Sequence, residues 1–229
     1  VSAAKPRGGR GSEPGGGSRA EPDGGEPGGG SRLRKLLPGE LTSEQRAVYD
    51  AIAGGPRAAG SAFPLVDADG GLEGPFNAML LQPGVGGALQ ELGSAVRYRT
   101  GLTTRAREIA ILTVARVWRS DFERYAHEAV ARAAGFSEAE LSALRTGDVA
   151  AFPDPGDRLI LDVGTALAER RDLTDEEFTA ARDGLGLPAL FELTTLAGYY
   201  ATLALQLRVF RVVTPESLDS AAATTEDFS

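Results

Sequence analysis

Residues 107–141 read REIAILTVARVWRSDFERYAHEAVARAAGFSEAEL. Within this run Ile109-Ala110-Ile111-Leu112-Thr113-Val114-Ala115 is apolar on nearly every helical face, so a helix starting near Thr104 is expected to be the most buried in the molecule. A second helix, Asp121 to Ala134, is stopped by Gly135, and Ser137-x-x-Glu140 opens a third with a capping box. Helices joined by links this short pack as neighbours, and the same grammar extends in both directions.

Upstream, Thr42-Ser43-Glu44-Gln45 caps a helix carrying Val48, Tyr49 and Ile52, which Gly54-Gly55-Pro56 ends. A helix over about 84–99 follows Pro83, with Val85, Leu89, Leu92 and Val96 along one side. Between them, residues 56–76 are rich in glycine and proline yet hold Phe63, Leu65, Val66, Leu72 and Phe76, too apolar for a free linker. An ordered loop lying over the core is expected there. Downstream, helices are expected from Pro155 or Asp157 to Glu169, after the cap at Thr174, and from Pro188 to Val213. The result is an all-α domain of about seven or eight helices spanning 32–216.

The ends read differently. Residues 1–31 are expected to be a disordered tail: the first thirty hold eleven glycines, four prolines and almost no large apolar side chains, so ordering them would cost entropy with nothing to bury. Residues 217–229 are small and acidic and are expected to be flexible. The tail's charges cancel, which places the net charge of −8 on the residues that follow it and argues against nucleic acid or an anionic membrane as partner. With no run of eighteen apolar residues and no leader-like apolar run at the start, a soluble cytoplasmic protein is expected.

With no cysteine, disulfide, thiolate and iron–sulfur chemistry are excluded, and a single histidine, His127, rules out a histidine-rich metal cage within one chain. Polar chemistry concentrates around that histidine. Glu123 and His127 are four apart on one helical face, and Glu108, nineteen positions earlier, reaches the imidazole if the two helices run antiparallel. His127 then suits general acid–base work, with Glu123 or Glu108 fixing its tautomer. The alternative is a packing network in which Glu108 pairs with Arg105, Arg107 or Arg116. The three side chains offer one nitrogen and two carboxylates to a divalent cation, but one imidazole selects weakly, and neither metal nor other cofactor is expected. Arg97 and Arg99 are candidates for binding a carboxylate, or else helix-end arginines exposed to water. Trp118, Phe122 and Tyr125 wall a ligand or belong to the core. Tyr199 and Tyr200 follow Gly198, and one of the two is expected to point inward.

Three segments carry a family resemblance: GPFNAMLLQPGVGGALQELGSAVRYRTGL at 74–102, the run 107–141, and LFELTTLAGYYATLALQLRVF at 190–210. Together they resemble the carboxymuconolactone decarboxylase family, which includes the alkylhydroperoxidase D-like proteins. The resemblance implies an alkylhydroperoxidase D-like helical fold and a homo-oligomer, whether dimer, trimer or hexamer. The peroxidase branch carries a glutamate, two cysteines three apart and a histidine. Glu108 and His127 match its ends, but Ser120 and Glu123 stand where the cysteines would be, so thiol-dependent peroxidase activity should be absent. The decarboxylase branch carries a glutamate and a histidine four apart, matched by Glu123 and His127. It implies a cofactor-free lyase acting on a small organic acid or lactone, with His127, Glu123 and Glu108 as catalytic residues. Arg97, Arg99, Ser120, Trp118 and Tyr199 are the expected substrate-binding residues. The rival expectation is a noncatalytic ligand-binding or structural homo-oligomer.

Overall fold

The structure, a computed structural model, describes residues 31–59 and 64–214. The expected tail, Ser31 apart, and the flexible end over 217–229 lie outside the described residues. Among the described residues ten α-helices form: α1 (Ser43–Ala53), α2 (Pro56–Ala59), α3 (Phe76–Met79), α4 (Pro83–Tyr98), α5 (Thr104–Trp118), α6 (Asp121–Ala133), α7 (Glu138–Thr146), α8 (Pro155–Glu169), α9 (Asp175–Leu185) and α10 (Leu187–Val209). Eight of them have nine residues or more; α2 and α3 are single turns. Among the described residues there is no strand, only an isolated bridge between Val66 and Leu72. No helix there is long and apolar enough to cross a membrane.

The caps read from sequence are made. Thr42, Ser137 and Thr174 each accept from the backbone N–H three residues on, and Gln45, Glu140 and Glu177 return the bond. Each such cap is worth about 1 kcal/mol. Helix α5 is the axis of the bundle, buried without interruption from Glu108 to Ala115 and packed on α6, α7, α8 and α10. At its end Arg119 adopts a left-handed conformation (φ 52°), which turns the chain back into α6. Arg105 then ties α5 to its neighbours: it bonds Glu140 of α7 and Asp157 of α8 (2.6 Å to the latter) and lies over the Phe136 ring, 4.4 Å from its centre.

Two expectations shift. The 56–76 passage is not loop alone, because α2 occupies its first turn and α3 begins at Phe76. Its described remainder, 64–75, is held down by Lys35, whose ammonium bridges Asp67 (2.7 Å) and Glu73 (2.5 Å). The last helix ends at Val209 instead of Val213, since Arg211 takes φ 50° and the Val212 N–H turns back to the Leu207 carbonyl.

Buried Asn77 in α3 stitches the first described segment onto this loop side. Its Oδ1 accepts from the Leu36 N–H (2.9 Å) and its Nδ2 donates to the Arg34 carbonyl (3.0 Å). Asn77→Ala strands both backbone groups, so it should cost about 1–3 kcal/mol, read as a lower urea midpoint at unchanged m-value.

Candidate active site

Because α5 and α6 lie side by side after the turn at Arg119, Glu108 and His127 meet. The Nδ1 of His127 is 2.7 Å from Oε2 of Glu108, whose residue is only 1% exposed. None of the alternative partners takes that carboxylate: Arg105 is bound to Glu140 and Asp157, Arg107 to the Leu102 carbonyl and Thr104, Arg116 to Thr165 and Glu169. With Nδ1–H donating to Glu108, the ring is fixed with Nε2 toward Glu123, 3.5 Å from its Oε2. The other oxygen of Glu123, Oε1, is buried with no hydrogen-bond partner among the described residues. Burial pushes the Glu123 carboxyl up to about 7, against the opposing pull of His127 and Arg97.

Arg97, in the last turn of α4, reaches over the same ring. Its Nη1 is 3.5 Å from Nδ1 and 3.4 Å from Nε2, near-equal distances that place it against the ring face and not in line with either nitrogen. It also donates to the Tyr200 hydroxyl at 3.4 Å. Burial works against its charge, yet Tyr200 and Glu108 hold the guanidinium above the usual arginine range. Tyr200 meets His127 edge-on, ring centres 5.1 Å apart, and packs likewise on Tyr199 at 5.2 Å. One of the two tyrosines was expected to point inward, and both are buried, because α10 has neighbours on several sides. Burial pushes the Tyr199 phenol up to about 12.

Glu123, His127, Arg97, Tyr199 and Tyr200 face one hollow, with Phe76, Phe122 and Leu203 among its apolar walls. The cavity volume is about 50 Å³. By the volume one water needs, it takes a few small polar atoms. A second arginine, missed by sequence reasoning, also lines it. Arg57 of α2 is 6% exposed, donates to the Gln90 side chain (2.8 Å), and lies 5.3 Å over the Phe76 ring. Gly93 of α4 makes this possible: any Cβ there would overlap the Tyr199 hydroxyl and the Arg57 guanidinium. An arginine directly after Gly-Gly-Pro gives no sequence signal of burial; the signal available was a glycine inside α4, a mark of close approach.

Residues 83–157 match the carboxymuconolactone decarboxylase family. This segment is a carboxymuconolactone decarboxylase family domain. Among proteins of curated function, none matches the chain. The domain contributes Glu108, Glu123, His127 and Arg97, whereas Arg57, Phe76, Tyr199, Tyr200 and Leu203 come from flanking helices.

Three residues expected at the site lie elsewhere. Arg99, two positions past Arg97 and beyond the helix end, is exposed and sits 3.7 Å from Glu91. Trp118 packs against the main core, ten residues along α5 from Glu108 and so roughly a quarter turn out of phase with it. Ser120 is an extended N-cap (φ −98°, ψ 98°), which takes it out of the helical phase of Glu123 and His127. It lines a separate hollow beside Arg116, Arg119 and Arg124, with its buried Oγ unpartnered among the described residues. No group of three or more His, Asp or Glu among the described residues is arranged to hold a metal ion, Glu108, Glu123 and His127 included.

The raised carboxyl of Glu123 has a thermodynamic signature. Its folded value lies above the ordinary 4.5, so as pH rises from 4.5 towards 7 the unfolded chain loses this proton first, and folding stability falls. Glu123→Gln removes that loss. Its stability relative to the unmodified protein should improve by about 2–3 kcal/mol between pH 5 and pH 8, measured by urea unfolding at each pH; a pH-independent difference would contradict a buried, proton-retaining carboxyl.

Proposed function

We propose that the chain is a cofactor-free lyase that removes a carboxyl group from a small unsaturated lactone acid or related carboxylated compound. The observation that carries this reading is the convergence on one hollow of an oriented imidazole, a proton-holding carboxyl and two arginines. The apolar walls favour loss of charge from the departing carboxylate, whose C–C bond electrons pass into the conjugated lactone carbonyl as carbon dioxide leaves. Arg97 stands ready for the oxygen that gains that charge, and Arg57 for a carboxylate that remains on the product. Nε2 of His127, protonated by Glu123, then delivers that proton to carbon, so carboxylate plus proton becomes carbon dioxide plus a C–H bond. Glu123, within reach of Nε2, is the source that restores the proton, and Glu108, turned away from the hollow, positions the ring.

Thiol-dependent peroxide reduction has no place in this reading, since the chain holds no cysteine. The test is a screen of small lactones and unsaturated carboxylic acids for carbon dioxide release and ultraviolet change. His127→Ala should lower turnover by at least about 100-fold, the usual scale of general acid catalysis, with helical circular dichroism unchanged. Arg57→Ala should act mainly on KM if it holds a carboxylate retained in the product. Undiminished turnover in His127→Ala ends the mechanism; saturable binding without carbon dioxide release identifies a noncatalytic acid-binding protein.

A further inference from the structure

Helix α10 has a second apolar face that the described chain leaves uncovered. Its exposed residues are Leu187, Pro188, Phe191, Thr194, Gly198, Thr202, Leu205, Arg208 and Val209. Leaving aside Pro188 and Arg208, they fall within roughly a quarter of the helix circumference at 3.6 residues per turn. Leu187 is 56% exposed, Phe191 71%, Leu205 52% and Val209 48%.

The stripe is symmetric about Gly198. Thr194 and Thr202 stand four residues to either side, Phe191 and Leu205 seven, Leu187 and Val209 eleven. Any one-sided stripe has regular spacing; the chemistry is what matches here, with large apolar side chains at both ends, threonines inside them and glycine at the centre. Both threonine hydroxyls are satisfied within the helix, Thr194 on the Phe191 carbonyl (2.8 Å) and Thr202 on the Gly198 carbonyl (3.0 Å), so neither requires water. Nothing in the described chain explains the glycine. A Cβ on Gly198 would meet no atom within 4 Å, and glycine in the middle of a helix weakens it.

We propose that this face pairs with the same face of a second copy, antiparallel, about a two-fold axis at Gly198. Gly198 then lies against Gly198, letting the backbones approach closely, and Phe191 of each copy meets Leu205 of the other. The ends fit as well. Beside Leu187 and Phe191 is an open groove of about 590 Å³ that also exposes Phe178 and is lined by Leu167, Leu173 and Leu190 together with Arg171, Asp172 and Asp175. Antiparallel pairing brings to its apolar lining Leu205 and Val209 of the second copy. This inference is independent of the lyase reading, because mass and cross-linking test it without turnover.

The absence of cysteine makes introduced thiols unambiguous probes in the full-length protein. Gly198→Cys should oxidise to a covalent dimer. Phe191→Cys and Leu205→Cys, each alone, should give little dimer with a short bis-maleimide, whereas their mixture should give abundant mixed dimer. In light scattering, Phe191→Glu should halve the mass of the assembly while circular dichroism stays unchanged. A single-chain mass for the unmodified protein at micromolar concentration would overturn the proposal. So would self-linking of Phe191→Cys and of Leu205→Cys without mixed product, which belongs to a parallel or different interface.

Discussion

The hydrogen bond between Glu108 and His127 is the contact on which the site depends. It joins α5 to α6 in the interior, where each partner alone would be a costly buried polar group. Together they settle the ring's orientation, and with it the direction of Nε2. The turn at Arg119, the continuous apolar surface of α5 and the clasp of Arg105 on α7 and α8 all serve to hold that pair in register. Around it the charges are arranged unevenly: Arg97 rests on the ring face, and Glu123 keeps one oxygen unpartnered and its proton late.

Much of the helical framework was legible because it is local. Capping boxes at Thr42, Ser137 and Thr174, the stop at Gly135 and the apolar run at 109–115 are read from neighbours in sequence, and the structure forms each of them. What escaped was set by distance. Helix α2 is one turn, too short for periodicity to register, and the end of α10 is fixed by the backbone at Arg211, a residue with no intrinsic leaning to a left-handed conformation.

The site divides along the same line. Glu123 and His127 share a helical face by spacing, and the reach of Glu108 follows once α5 and α6 are antiparallel. Arg57 depends on Gly93 and Tyr199, contacts between residues far apart in the chain, and no pattern around residue 57 reports them. Arg99 and Ser120 sit at caps, outside the helical phase of the site residues; Arg99 takes the alternative read for it, a helix-end arginine exposed to water.

The origin of the lining residues has an evolutionary corollary. The titratable groups Glu108, Glu123 and His127 sit inside the family segment, whereas Arg57, Phe76 and Tyr199, which shape the hollow, come from sequence on either side of it. Selection can therefore redraw the contour of the chamber by altering flanking helices while the imidazole and its acidic companions stay untouched. Paralogues alike across 83–157 would then keep the same titratable trio and differ in the shape of the chamber it borders.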